Sequence, residues 1–128
     1  MSQIHQEIVL AASPAAVYRA LTDSEEFASL SGAPAQIHAE NGGEFICFGT
    51  FITGRQIELL EGQRIVQAWR VFDWQPGHYS IVHIELNADG DGTRLVLDQD
   101  GVPEDVVDHV GPGWHEKYWK PLQKHVEL

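Results

Sequence analysis

The stretch NGGEFICFGTFITGRQIELLEGQRIVQAWR, residues 41–70, decides the fold. It holds three short alternating apolar runs, Glu44–Phe48, Phe51–Leu60 and Arg64–Phe72. Glycine-bearing turn signals separate them, Phe48-Gly49-Thr50 and Glu61-Gly62-Gln63. A period of two marks a strand with one face buried. Two further runs follow, His78–Leu86 and Thr93–Gln99, joined by a polar link from Asn87 to Gly92. Strands at roughly ten-residue spacing with such turns read as an antiparallel meander.

Helical segments flank the meander. Ahead of it, Ile4–Leu10 reads as a first strand, and Ser13-Pro14 opens a helix as N-cap and first helical residue. Asp23 or Ser24 starts a second short helix, with Glu25 and Glu26 in its first turn. It stops near Gly32, and Pro34 enforces the break. Ala35–Glu40 reads as another strand before the Asn41-Gly42-Gly43 turn. Behind the meander, Pro103, Glu104 and Asp105 begin a helix that Gly111-Pro112-Gly113 should interrupt. From Trp114 to Val126, apolar residues at 114, 118, 119, 122 and 126 form one stripe, and Pro121 should bend the segment. The expected class is α+β: a curved antiparallel sheet of about six or seven strands around a long C-terminal helix, with two short helices after strand one, as a single domain over residues 1–128.

The chain has 128 residues, 43% hydrophobic and 21% charged, with a formal net charge of −11. That acidity argues against nucleic acid and against anionic membrane surfaces as partners. It suits a neutral ligand or a basic partner. No stretch approaches the ~20 apolar residues of a membrane-spanning helix, and the N-terminus shows no signal peptide, so a cytoplasmic location is expected. The single cysteine, Cys47, lies in mid-strand and reads as a buried inert thiol.

Several segments carry a resemblance: Gly42-Gly43-Glu44-Phe45, Ile52-Thr53-Gly54, residues 63–70, Gly77-His78-Tyr79-Ser80 and Gly92-Thr93-Arg94-Leu95. With Gly101-Val102-Pro103, Gly113-Trp114 and residues 118–122, they cover nearly the whole chain. The sequence resembles the family homologous to the C-terminal domain of the activator of the ninety-kilodalton heat-shock chaperone ATPase, within the START-like (SRPBCC) superfamily. The resemblance implies a helix-grip fold with an internal cavity. It implies ligand carriage, chaperone activation, or cyclase/dehydratase chemistry on polyketides. Activators of this type have an N-terminal domain that helps engage the chaperone. This chain begins at the first strand, which weighs against direct activation.

Strand parity then nominates cavity residues. Ser80, Val82, Ile84 and Leu86 share the face expected inward, and His78 belongs to it by parity. Ile65, Gln67, Trp69 and Val71 form the matching set, as do Leu95 and Leu97. On Phe51–Leu60, Arg55, Ile57 and Leu59 are read together against Gln56 and Glu58. The candidate cavity lining is therefore Arg55, Ile57, Gln67, Trp69, His78, Ser80, Val82 and Leu95, with Trp114, Tyr118 and Trp119 from the last helix. The competing reading is that these aromatics simply fill a core. Trp74 is read either as an exposed anchor for a partner or as a plug over the sheet end.

Catalytic and metal motifs are not apparent. The seven histidines include no i, i+4 pair. Asp89-Gly90-Asp91-Gly92 lacks the closing residues of a calcium loop and reads as a hairpin turn. Asp98, Asp100, Glu58 and His78 are conceivable acid–base groups, but nothing selects among them. The expectation is a protein without cofactor or metal that binds a small apolar ligand or a protein partner. The alternative is a polyketide cyclase/dehydratase-type enzyme using the same cavity.

Overall fold

The computed structural model describes residues 3–127. Its strands are β1 (Ile4–Leu10), β2 (Gln36–Ile37), β3 (Glu44–Cys47), β4 (Ile52–Leu60), β5 (Arg64–Val71), β6 (Ser80–Asp89) and β7 (Gly92–Asp100). They form one seven-stranded antiparallel sheet in the order β1-β7-β6-β5-β4-β3-β2. Two helices, α1 (Pro14–Thr22) and α2 (Ser24–Ser31), follow β1. Both begin as their sequences ask. The Ser13 hydroxyl accepts from the Ala16 amide at 3.2 Å, and the Asp23 carboxylate from the Glu26 amide at 2.9 Å. Gly32, at φ 72°, ends α2 in the left-handed conformation that favours glycine.

Three segments have strand ends more than one residue from expectation. The strand expected at Ala35–Glu40 shrinks to two residues, because the backbone turns away once Ile37 has paired with Phe45. β6 begins at Ser80 rather than His78, whose amide closes a turn onto Gln75. The link from Asn87 to Gly92 narrows to the loop Gly90-Asp91, since Asp89 already pairs with Gly92. Gly90 at φ 60° fits the first loop position of a type II′ hairpin.

The C-terminal arm overturns the expected break. A short 3₁₀ turn (Glu104–Val106) leads into α3 (Val107–Gly113), a π-helical stretch (Trp114–Trp119) and α4 (Lys120–Val126) without a gap. Pro112 sits inside α3. It and Asp108, whose carbonyl it cannot serve, both lie on the exposed side, where water can satisfy that carbonyl. Packing of the opposite side overrides the poor local propensity. In the π stretch the Lys120 amide bonds to the His115 carbonyl, five residues back. That wider turn keeps Trp114, Tyr118 and Trp119 all buried.

β4 also departs from simple alternation. The register slips between Gln56 and Glu58, so Ile57 is the extra residue of a bulge. A bulge reverses parity beyond it. Ile52, Gly54 and Gln56 therefore face inward before it, and Leu59 packs against the core after it. Arg55 and Ile57 point outward, contrary to expectation, because the bulge separates them from Leu59, with which unbroken parity groups them. Gly54 is required where it is: a Cβ there would collide with the Ala68 carbonyl and the Phe45 ring.

Candidate functional site

The arm crosses the sheet but does not close onto the ends of β4 and β5. A cleft of about 590 Å³ lies between them. Trp69, from β5, and Trp114 and Tyr118, from the π stretch, form its floor. The Trp69 and Trp114 rings stack at 5.4 Å and 25°, and Trp114 lies over Tyr118 at 4.2 Å. Phe48, Phe51, Ile52, Val71 and Trp74 form the sheet-side wall. Val106, His109, Val110, Gly113 and Lys117 form the helix-side wall, and Asp73 lies among the lining residues from the loop after β5.

The floor is pinned by a polar chain beneath it. Trp114 Nε1 donates to Gln99 Oε1 at 2.8 Å. Gln99 Nε2 donates to the Ser80 hydroxyl at 2.9 Å, and that hydroxyl donates to the Trp69 carbonyl at 2.8 Å. All four residues are buried. The chain ties the Trp114 indole to the sheet through its Nε1 and ends on the Trp69 backbone carbonyl. Trp69 Nε1 also donates to the Tyr118 hydroxyl at 3.2 Å. Burial raises the Tyr118 pKa well above the ordinary tyrosine value; the nearby Cys47 adds to this and the Trp69 bond opposes it. The phenol is therefore a neutral group at the cleft floor. Cys47 is buried and its pKa is pushed up to about 12 by desolvation, so it carries a thiol and not a thiolate.

Of the sequence-nominated residues, Trp69, Trp114 and Tyr118 line this cleft. Gln67 lies behind the floor beside a void of about 20 Å³, and its Nε2 donates to Gln56 Oε1 at 3.1 Å. Gln56 Nε2 has no hydrogen-bond partner among the described residues. Ser80, Val82 and Leu95 are fully buried in the core and do not reach the cleft. Trp119 faces β1, where its Nε1 donates to Gln6 Oε1 at 2.7 Å. His78 packs edge-on against Trp74 at 5.5 Å and donates from Nε2 to the Gly101 carbonyl at 2.8 Å, outside the cleft. Arg55 is exposed, bonded to the Gly42 carbonyl at 2.9 Å and paired with Glu44 at 3.1 Å, and Ile57 is 48% exposed. Trp74 is tucked in, 7% exposed, against Trp69.

The helix-side wall is not expected from the sequence because Gly111-Pro112-Gly113 predicts an interruption of the helix there. Its signal was present. Positions 106, 110, 114 and 118 make one row at spacing four, and 109, 113 and 117 make the next. Among the described residues no cluster of His, Cys, Asp or Glu is suited to a metal, and no helix is long and apolar enough to cross a membrane.

The family described as Activator of Hsp90 ATPase homolog 1-like protein matches residues 11–127. The chain belongs to that family. The mouse Activator of 90 kDa heat shock protein ATPase homolog 2 is 30% identical over 112 residues, 88% of this chain and 34% of the mouse protein. The chain thus spans about a third of the length of the curated relatives it matches. Among solved structures, an HSP90 activator from Plasmodium falciparum superposes with a TM-score of 0.87 at 25% identity, covering 94% of both chains. A Chromobacterium violaceum protein superposes at 0.81 with 28% identity, covering 98% of this chain and 96% of that one. For this family member, the helix-grip architecture is therefore the family's own.

Proposed function

We propose that this member of the Hsp90-activator-homologue family binds a small apolar ligand in the cleft between the C-terminal arm and the ends of β4 and β5. One observation carries the reading: a space of about 590 Å³ floored by three aromatic rings and walled largely by apolar side chains. That volume is in the range of small-molecule sites, and a few polar groups at an otherwise apolar surface are their usual composition. The Trp114 ring is held by its bond to Gln99 and the Trp69 ring by its bond to the Tyr118 hydroxyl, so the floor is preorganised.

The test is titration with a neutral aromatic probe, N-phenylnaphthylamine, followed by probe fluorescence and thermal shift. Saturable binding with a raised melting temperature supports the reading, because a ligand of the native state stabilises it by mass action. An absence of saturable binding refutes it.

A protein partner is a second reading, favoured by exposed aromatics at the cleft rim. Phe51 and Phe72 pack together at 5.1 Å yet remain 49% and 58% exposed. Hsp90 is the partner that the relatives' names suggest. Raised chaperone ATPase turnover in a purified mixture would support it. Catalysis in the same cleft has one specific observation behind it: the buried, neutral Tyr118 phenol could hydrogen-bond a ligand carbonyl.

A further inference from the structure

We infer that the ligand is an aromatic acid, bound with its ring on the indole floor and its anionic group against the helix-side wall at Lys117 and His109. The inference rests on the cleft being an apolar-ligand site and adds the ligand's charge and orientation.

Charge accounting in this acidic chain makes the case. There are eight Lys and Arg side chains against nineteen acidic ones. Arg19, Arg55, Arg64, Arg94 and Lys120 each pair with a carboxylate. Arg70 is bound by the carbonyls of Phe72, Trp74 and Gln75. Among the described residues only Lys117 and Lys124 have no such bonded partner; Lys117 acts on the neighbouring Glu116 carboxylate only through space, and it lines the cleft. An ammonium without a bonded carboxylate beside an apolar cavity, in a chain with a large surplus of carboxylates, can still partner an anion.

Geometry reinforces this. His109, Gly113 and Lys117 form one row along the arm at spacing four. His109 makes no hydrogen bond or ion pair among the described residues. Between the two basic residues stands a glycine in helical conformation, and a Cβ built on it meets nothing within 4 Å. Backbone geometry does not require glycine there. The space it leaves opens between two basic side chains, directly beside the stacked indoles. Asp73 belongs to the loop after β5 and would repel an anion, which assigns the acid group to the helix side.

The experiment uses two probes of matched skeleton, anilinonaphthalene sulfonate and neutral N-phenylnaphthylamine. With the wild-type chain, the sulfonate should bind at least as tightly as the neutral probe despite the net charge of −11. Lys117→Gln should weaken the sulfonate about two- to fivefold and leave the neutral probe unchanged, as expected of one exposed ion pair. Lys124→Gln makes the same change in net charge away from the cleft and should alter neither. Gly113→Leu should remove both by filling the space. Equal effects of the two lysine substitutions, or none from Lys117→Gln, would overturn the anion assignment while leaving the apolar site standing. Retention of both probes by Gly113→Leu would overturn it by placing them elsewhere. Failure of both probes on the wild-type chain would overturn the cleft reading and this inference together.

Discussion

Replacing Trp114 by Phe tests whether the cleft floor is locked by the buried polar chain or only by stacking. Trp114 is 2% exposed, and its Nε1 supplies the hydrogen bond to Gln99 Oε1. Phe keeps a ring in place but removes that donor. An orphaned buried acceptor costs about 1–3 kcal/mol. The smaller ring leaves a gap worth about 1 kcal/mol more. A total of roughly 2–4 kcal/mol should lower the melting temperature of a chain this size by roughly 6–15 °C. Gln99→Leu alone orphans the Trp114 donor instead and should cost about 1–3 kcal/mol. Ser80 keeps its bond to the Trp69 carbonyl in that variant. The double variant removes both partners, so it should lose about 1–2 kcal/mol less than the sum of the singles. Denaturant unfolding of the four proteins, with m-values checked for constancy, measures this directly. Additivity within about 0.5 kcal/mol would show that the bond contributes nothing, and the locked-floor reasoning would fail.

Other perturbations probe the fold and its surface. Gly113→Ala should stabilise the protein by about 0.5–1 kcal/mol, since a helical glycine with open space at its Cβ gains from replacement; destabilisation in a melting experiment would contradict the open wall. Gly54→Ala should destabilise by about 1–3 kcal/mol, because a methyl there meets the Ala68 carbonyl and the Phe45 ring; unchanged stability would mean the sheet yields at that point. On the exposed outer face, hydrogen bonds to Asp98 and then Glu7 raise the His5 pKa above 6.5. Its contribution is therefore present below pH 6.5 and lost as pH rises through the raised value. Stability measured across that interval should decline in the wild-type chain and decline less in His5→Gln; identical profiles would remove His5 from the account.

Strand positions were legible because alternation is a direct imprint of a sheet with one wet face. β6 and β7 show it most clearly, β5 less so, and Ile65, Trp69, Val82, Ile84, Leu95 and Leu97 are buried as their parity requires. The α1 and α2 starts were legible because Ser13 and Asp23 carry the capping oxygen themselves. β4 was not, because a bulge is a property of pairing between strands and leaves no composition mark at Ile57. Unbroken parity groups Arg55 and Ile57 with Leu59, and the bulge separates them. The cleft was partly legible. Trp69, Trp114 and Tyr118 follow from stripe and parity, whereas Asp73, His109, Gly113 and Lys117 depend on how far the arm stands off the sheet. Local propensity at Gly111-Pro112-Gly113 argued for a break, and tertiary packing of Val110 and Trp114 decided otherwise.

The exceptions to local rules in this chain are not scattered. Phe48, at φ 56°, is the non-glycine residue in the left-handed region among those described, and it lines the cleft. The π-helical turn supplies Trp114, Lys117 and Tyr118 to the same space. Pro112 and Gly113, both unfavourable inside a helix, stand at the cleft's helix-side wall or next to it. Each departure has a cost: backbone strain for Phe48, propensity for the glycine and proline, poorer hydrogen bonding for the π turn. A packed core would be served as well by a regular helix with alanine at 113. What the irregular arrangement yields is an arm whose buried row continues past a glycine while the neighbouring row opens on unfilled space. Consistency across levels is the rule for folded sequences, and the places where it lapses together are where function is expected to act against stability. Here they converge on one aromatic-floored cleft. A substitution set that regularises the arm, Pro112→Ala with Gly113→Ala, should therefore raise the unfolding midpoint and weaken aromatic-probe binding in the same protein. A gain in stability with probe affinity untouched would show that the irregularities serve something other than this cleft.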